Sequence, residues 1–273
     1  MGEPLKDLFP GKARVIIGMV HLDALPGTPL HDTDGGMARI IENARADLAA
    51  LQDNGVDAVM FGNENDRPYA LSAPQEGVAA MSAVVATLAP EIRVPFGVNY
   101  LWDPKASVAI AAATGAAFVR EVFTGVYASD MGMWVPDAEG AAKLRRNLGR
   151  PDLKMLFNVN AEFAAALDTR PIGLRARSAV FSSLADAVLV SGPVTGEGSD
   201  LSQLAEAARA VPGTPVLANT GVNIDTVEAI LEHAYGCVVG THFKVDGITW
   251  NKVDGARVRR FMDRVEAIRA RAA

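Results

Sequence analysis

Eight short runs rich in Val, Ile, Leu and Phe recur along this chain, each bounded by Gly, Pro, Asn or Asp. They are RVIIGMVHL at 14–22, DAVMFG at 57–62, VPFGVNY at 94–100 and AFVREV at 117–122. LKMLFNVN at 153–160, DAVLVSG at 186–192, PVLANTG at 215–221 and CVVGTHF at 237–243 complete the set. Short apolar runs of this kind suit strands buried on both faces, as in a parallel sheet covered by helices. Helical spacing separates them. Residues 37–54 carry Ile40, Ile41, Ala44, Leu48 and Leu51 at three- and four-residue steps. Residues 76–89, 104–114, 137–148, 200–210 and 223–233 behave similarly. Asp137, Asp200 and Asn223 read as N-caps, and Gly55 and Gly115 as helix stops.

Eight strands alternating with helical segments, and a closing C-terminal helix, predict an α/β fold, a (β/α)8 TIM barrel. The 273 residues are expected to form a single domain, with a short N-terminal extension at about 1–13. A doubly wound open sheet is the alternative. The even repeats and the lack of a Gly-rich first turn favour the barrel.

A net charge of −6 argues against non-specific affinity for nucleic acid, which needs a basic surface. The single cysteine, Cys237, excludes an intrachain disulfide framework and fits a reducing cytoplasm. The run from Val15 to Val20 is too short to span a bilayer and lacks the flanks of a signal peptide. Met1-Gly2 would suit myristoylation, but Lys6 stands where Ser or Thr is expected. A cytoplasmic protein without an integral membrane segment is therefore expected. Barrels of this size often associate, so a homo-oligomer is expected too.

In such a barrel the ligand site lies at the C-terminal ends of the strands. Strand 1 ends with His21 and Asp23, and strand 2 with Asn63, Glu64, Asn65, Asp66 and Arg67. Strand 3 contributes Asn99, strand 4 Arg120 and Glu121, and strand 5 Asn158, Asn160 and Glu162. Strand 6 runs into SGPVTGEGSD, strand 7 into NTGVN and strand 8 into GTHFK. The strand starts show no such convergence. Buried polar groups cost free energy unless paired, so a polar end on every strand points to a ligand site.

Phosphate is the ligand chemistry that the last two strands suggest. Asn219, Thr220 and Gly221 follow strand 7, and Gly240, Thr241 and Lys244 follow strand 8. Backbone can approach an anion at the glycines, and Lys244 could add charge. Tight βα turns would also explain the glycines. His21 and His242 lie on strands that adjoin in a closed barrel. They are open to three readings: a proton-transfer pair, metal ligands beside Asp23 or Glu64, or backbone-bonded loop residues. A divalent metal stays open as a cofactor, although no HxxxH or HxH spacing supports it.

Glu64 and Glu121 are the carboxylate candidates for acid–base chemistry. Alternation sends Arg120 and Glu121 in opposite directions, so only one of them faces the barrel centre. The alternative for Glu121 is pairing with a nearby arginine. Asn63, Asp66, Asn99, Asn158 and Asn160 are candidate ligands for substrate hydroxyls, or else partners for neighbouring side chains. A Schiff-base aldolase is poorly supported. Lys154 lies at the wrong end of strand 5, leaving Lys244 as the formal nucleophile. TGEGSD at 195–200 reads as a mobile lid or an ordinary turn. The stripe Val258, Phe261, Met262, Val265 and Ile268 suits a barrel helix with a solvated basic face better than a membrane contact.

GMVHLDALPGTP, GVDAVMFGNENDRPY, FGVNYLWDPKASVAIAAATGAAFVREVFTG and VLANTGVN…VVGTHFK together resemble the BtpA/SgcQ family. The resemblance spans nearly the whole chain, from Val15 to Phe261, and implies a barrel enzyme. One branch of that family is named for photosystem I biogenesis or stability, as a membrane-associated factor. Another is associated with sugar metabolism. The resemblance assigns no residue a role. Two functions follow as expectations. One is a cytoplasmic enzyme acting on a phosphorylated sugar or ribosyl compound, by isomerisation, lyase chemistry or glycosidic cleavage. The other is a non-catalytic assembly factor that reuses the barrel as a scaffold.

Overall fold

The computed structural model describes residues 5–272, so the Met1-Gly2 motif lies outside the described residues. Eight parallel strands close into a barrel. They are β1 (Val15–His21), β2 (Ala58–Gly62), β3 (Phe96–Asn99) and β4 (Phe118–Glu121). β5 (Lys154–Asn158), β6 (Ala187–Val190), β7 (Val216–Ala218) and β8 (Gly236–Val239) follow. Neighbours in the sheet are neighbours in sequence, and β8 closes on β1 through Val15↔Gly236 to Gly18↔Val239. This is the TIM barrel that the repeats predict.

Helices α1 (Gly36–Gln52), α2 (Gln75–Leu88), α3 (Pro104–Thr114) and α4 (Ala138–Asn147) wrap the first half. Helices α5 (Ile172–Ser183), α6 (Leu201–Ala210), α7 (Val227–Leu231) and α8 (Gly255–Ala272) wrap the second. Asp137 and Asp200 cap α4 and α6 by accepting the amides of Gly140 and Ser202 at 2.8 and 2.7 Å. Gly115 ends α3 in the left-handed conformation that a Cβ would disfavour. Asn223 matches expectation in part. Its side chain caps the turn leading into α7 by accepting the amides of Asp225 and Thr226 at 2.9 and 3.1 Å, while the regular helix starts three residues later than expected, at Val227.

Strand alternation divides the core in two. Val15, Ile17, Met19, Met60, Phe118, Leu156, Leu189, Leu217 and Val238 fill the barrel, with Leu5 and Phe9 packed into the same cluster. Ile16, Val20, Phe61, Val98, Val119, Phe157 and Val239 face outwards and meet the helices. Two features were not anticipated. Tyr127–Ser129, Gly132–Trp134 and Ala164–Ala166 pair as an antiparallel flap built from the loops after β4 and β5. At the other end of the barrel, Asp57 gathers Lys12, Arg269 and the amide of Ile16, so the strand starts do have one convergent ion cluster. Among the described residues no helix is long and apolar enough to cross a membrane.

Candidate functional site

The inward positions at the strand ends are His21, Gly62, Asn99, Arg120, Asn158, Ser191, Asn219 and Gly240. On seven strands each lies two residues beyond an inward apolar side chain: Met19, Met60, Phe118, Leu156, Leu189, Leu217 or Val238. On β3 the preceding inward residue is Gly97, where a Cβ would collide with Phe118. The final layer is therefore polar or glycine all the way round.

The two glycines of this layer, Gly62 and Gly240, sit on the strands flanking β1. A Cβ on Gly240 would lie 2.9 Å from the His21 ring, and one on Gly62 would lie 2.5 Å from Glu64 Oε2. The missing side chains thus make room for His21 and Glu64. A cavity of about 280 Å³ opens there, lined by His21, Glu64, Trp102, Arg120, Glu162 and Asn219 at its floor. Thr195, Gly196, Gly221, Asn223, Thr241, His242 and Arg257 line its rim.

His21 Nε2 lies 3.5 Å from Glu64 Oε1. Burial holds the imidazole well below its ordinary pKa, helped by the charges of Lys244 and Arg120, while a Thr249 backbone contact offsets part of this. Burial pushes the Glu64 carboxyl up to about 7 against the pull of Arg120. Near neutral pH the pair is thus a neutral imidazole beside a carboxyl that readily gains or loses a proton.

Arg120 Nη1 lies 4.0 Å from Glu162 Oε1. Glu162 in turn accepts from Asn219 Nδ2 at 3.0 Å and from Thr195 Oγ1 at 2.9 Å. Ser191 Oγ accepts from both Asn158 and Asn219, at 3.1 and 3.0 Å. Burial also raises the Glu162 pKa, opposed by Arg120 and these hydrogen bonds. His21 Nδ1, Glu64 Oε2, Trp102 Nε1, Arg120 Nε and Asn219 Oδ1 are buried atoms without a hydrogen-bond partner among the described residues. Five such atoms on the lining of one cavity mark a surface suited to a polar ligand. Among the described residues no three His, Cys, Asp or Glu groups are placed to share a metal ion.

The structure brings His21, Glu64, Asn219, Thr220, Gly221, Gly240, Thr241 and His242 to this cavity. Several other candidates lie elsewhere. Lys244 differs most sharply from expectation: its ammonium is 1% exposed and binds Asp47 of α1 at 2.7 Å, so it is paired away from the cavity lining and not placed to contact a ligand. Glu121 points away from the cavity and accepts from Asn99 Nδ2 at 2.6 Å and from the Val122 amide at 2.7 Å. Burial pushes its carboxyl up to about 8. Asp23 accepts from Asn43 at 2.6 Å in a separate surface groove. Asn63 and Asp66 bond each other at 2.8 Å and brace the Leu101 and Leu25 amides. Asn160 exchanges two hydrogen bonds with the Ser191 backbone, and Asn158 is fully buried below the cavity.

The histidine pair is also revised. His242 packs at a tilt against Phe261, with ring centroids 5.5 Å apart, while Glu64 rather than His242 is the ionisable partner of His21. Gly221 has a protein reason for being glycine. Its φ is +63°, and a Cβ there would lie 2.1 Å from the Gly198 amide. Of the lining residues, Trp102 and Arg257 carried no signal in the sequence, whereas Thr195 opens the TGEGSD loop that reads as a lid or a turn. Arg120 did carry one, because it shares a face with apolar Phe118.

The loops are seated over this mouth. Thr249 Oγ1 bonds Thr241 Oγ1 at 2.9 Å, and the Arg67 guanidinium lies 3.5 Å from the centre of the Trp250 ring. Trp102 is packed by Trp134, Tyr69 and Phe163 in an aromatic cluster under the flap.

Fold and site together define a (β/α)8 barrel of the kind enzymes use, with a polar cavity at the C-terminal face of its sheet. Dihydropteroate synthase of Xanthomonas albilineans, with 4-aminobenzoic acid, has this fold at a TM-score of 0.61 and 18% identity, over 96% of this chain and 94% of that one. The chain belongs to the BtpA family, whose pattern it matches over residues 12–267. It is 47% identical to the sgc region protein SgcQ of Escherichia coli, over 97% of this chain and 98% of that protein. It is 32% identical to the photosystem I biogenesis protein BtpA of Synechocystis, over 91% of this chain and 86% of that protein.

Proposed function

We propose that this protein is a cytoplasmic enzyme acting on a phosphorylated sugar or a related ribosyl compound. The observation that carries the reading is Glu64 beside neutral His21, 3.5 Å apart, with the carboxyl held at about 7. A group poised at the working pH can both take and return a proton. Isomerisation, lyase chemistry and glycosidic cleavage each need that step. Arg120 supplies fixed positive charge where an oxygen gains electron density in the transition state. Asn219 and Glu162 offer acceptors for hydroxyls. The phosphate part of the reading rests on the rim, where Gly221, Gly240 and Thr241 from the loops after β7 and β8 line the cavity.

The test is a panel of sugar phosphates and nucleosides read by melting temperature, followed by turnover of any binder. Glu64→Gln should keep the binding and lower turnover by roughly 100- to 10,000-fold, the range for loss of a general acid or base. A panel without any binder overturns the reading. It would favour the alternative of a non-catalytic assembly factor, in which Glu64→Gln leaves the cellular phenotype intact.

A further inference from the structure

We propose that Arg257 is the anion-recognising residue of the cavity and fixes which way the ligand lies. The phosphate of the ligand sits against Arg257 at the β7–β8 rim, and its reacting carbons reach His21, Glu64 and Arg120 at the floor. This rests on the phosphosugar reading above and names the residue and the ligand size that the reading leaves open.

Among the described residues the only acids on the cavity lining are Glu64 and Glu162, and both belong to the floor. A phosphate placed on Arg120 would therefore meet Glu162, which is already 4.0 Å from that guanidinium. Like charges at that range repel strongly in a buried site. The rim quarter holds Thr241, His242, Asn223 and Arg257, with no lining carboxylate. Arg257 is half-buried, and its Nε donates to the His242 carbonyl at 2.7 Å. That bond fixes the guanidinium plane and leaves its other nitrogens for a ligand. Among the described residues no carboxylate pairs with it; Asp254, the nearest acid along the chain, accepts the Ala256 amide at 2.8 Å and so caps α8.

Position on the helix adds an independent argument. Arg257 stands in the first turn of α8, which spans Gly255–Ala272. A cation there opposes the helix dipole, and an anion bound to it turns that cost into a gain. Burial lowers the His242 pKa, Arg257 and Arg260 add to this, and Asp225 opposes it, so two guanidinium groups and one carboxylate act on this imidazole. Size then narrows the ligand class. The cavity of about 280 Å³ lies just below the usual range for small-molecule sites. It suits a pentose or hexose monophosphate without a nucleobase.

The experiment is calorimetric titration of the full chain with pentose and hexose monophosphates, the matching free sugars, inorganic phosphate and AMP. The variants are Arg257→Met and Arg257→Lys, with melting temperature checked for each. Wild type should bind a sugar monophosphate and prefer it to the free sugar and to AMP. Arg257→Met should weaken that binding by roughly 10- to 100-fold, as expected for a lost charge-assisted contact. It should leave affinity for the free sugar unchanged, and Arg257→Lys should recover part of the loss. If Arg257→Met is folded and binds the phosphosugar like wild type, the seat falls and the phosphosugar reading stands. If no sugar monophosphate binds wild type, the phosphosugar reading falls and the seat with it. Tighter binding of AMP overturns the size argument alone.

Discussion

Two buried cations in this barrel, Lys244 and Arg120, look alike in sequence, since each follows an apolar strand near the same face. Lys244 is closed on itself: its ammonium meets Asp47 at 2.7 Å, and the other oxygen of Asp47 accepts the Val253 amide at 2.7 Å. Arg120 is open: its nearest acid is 4.0 Å away, its Nε has no partner, and it lines the cavity. A buried charge held by a buried counter-ion, away from the cavity lining, is holding structure. A buried charge with valences left over, on a cavity wall, is offering them to a ligand.

That contrast is open to direct attack. Lys244→Met leaves Asp47 buried without its counter-charge, which should cost roughly 3–5 kcal/mol. Thermal unfolding should then begin about 10 °C lower. A loss below about 1 kcal/mol would break the comparison, because Lys244 would then carry no structural duty.

The second effect is a gain. Glu64 has a folded pKa of about 7 against 4.5 ordinarily. Between those values the unfolded chain has lost a proton that the folded chain keeps. Stability therefore falls as pH rises through that window and levels off above it. Glu121, held at about 8, adds to the same slope and extends it upwards. Glu64→Gln should be more stable than wild type at pH 8 by roughly 1–3 kcal/mol, and equal to it near pH 4. Paired melting curves at the two pH values decide this, and equal stability at pH 8 would mean that the carboxyl is not strained by burial.

The smallest expected change in stability belongs to Arg120→Met. Glu64 and Glu162 can take up protons once the guanidinium is gone, so the cost should stay below roughly 2 kcal/mol. Its ligand-induced rise in melting temperature should nevertheless disappear. A large stability loss with intact ligand response would place Arg120 in the same class as Lys244.

Most of the fold was legible for a physical reason. A strand buried on both faces must be apolar throughout, so β1, β2, β5 and β6 announce themselves. The flap did not. Its strands are three residues long, and Tyr127 pairs with Ala166 across most of two loops, which no local pattern records. Helix α5 was also faint, because its buried side includes small residues, Gly173, Ala176 and Ala179. In the site, His21, Glu64 and Asn219 were readable as polar ends of apolar strands. Arg257 was not, because it lies on the polar side of the α8 stripe. Lys244 stands apart from the ligand-facing position that its spacing suggests, because Thr241–Phe243 form a tight 3-10 turn that leaves its side chain against α1.

By itself the sequence determined the barrel, the order of its strands and the polar character of one rim. Each of these follows from composition and spacing within a few consecutive residues. Only the tertiary structure decided which polar groups already have partners. Asp47 lies 197 residues before Lys244, and Asn219 lies 57 residues after Glu162. Hydrogen bonds and ion pairs depend on positions in space to a fraction of an ångström, and chain separation carries no such information. The division between the charges that hold this barrel together and those that face its cavity is therefore set by packing.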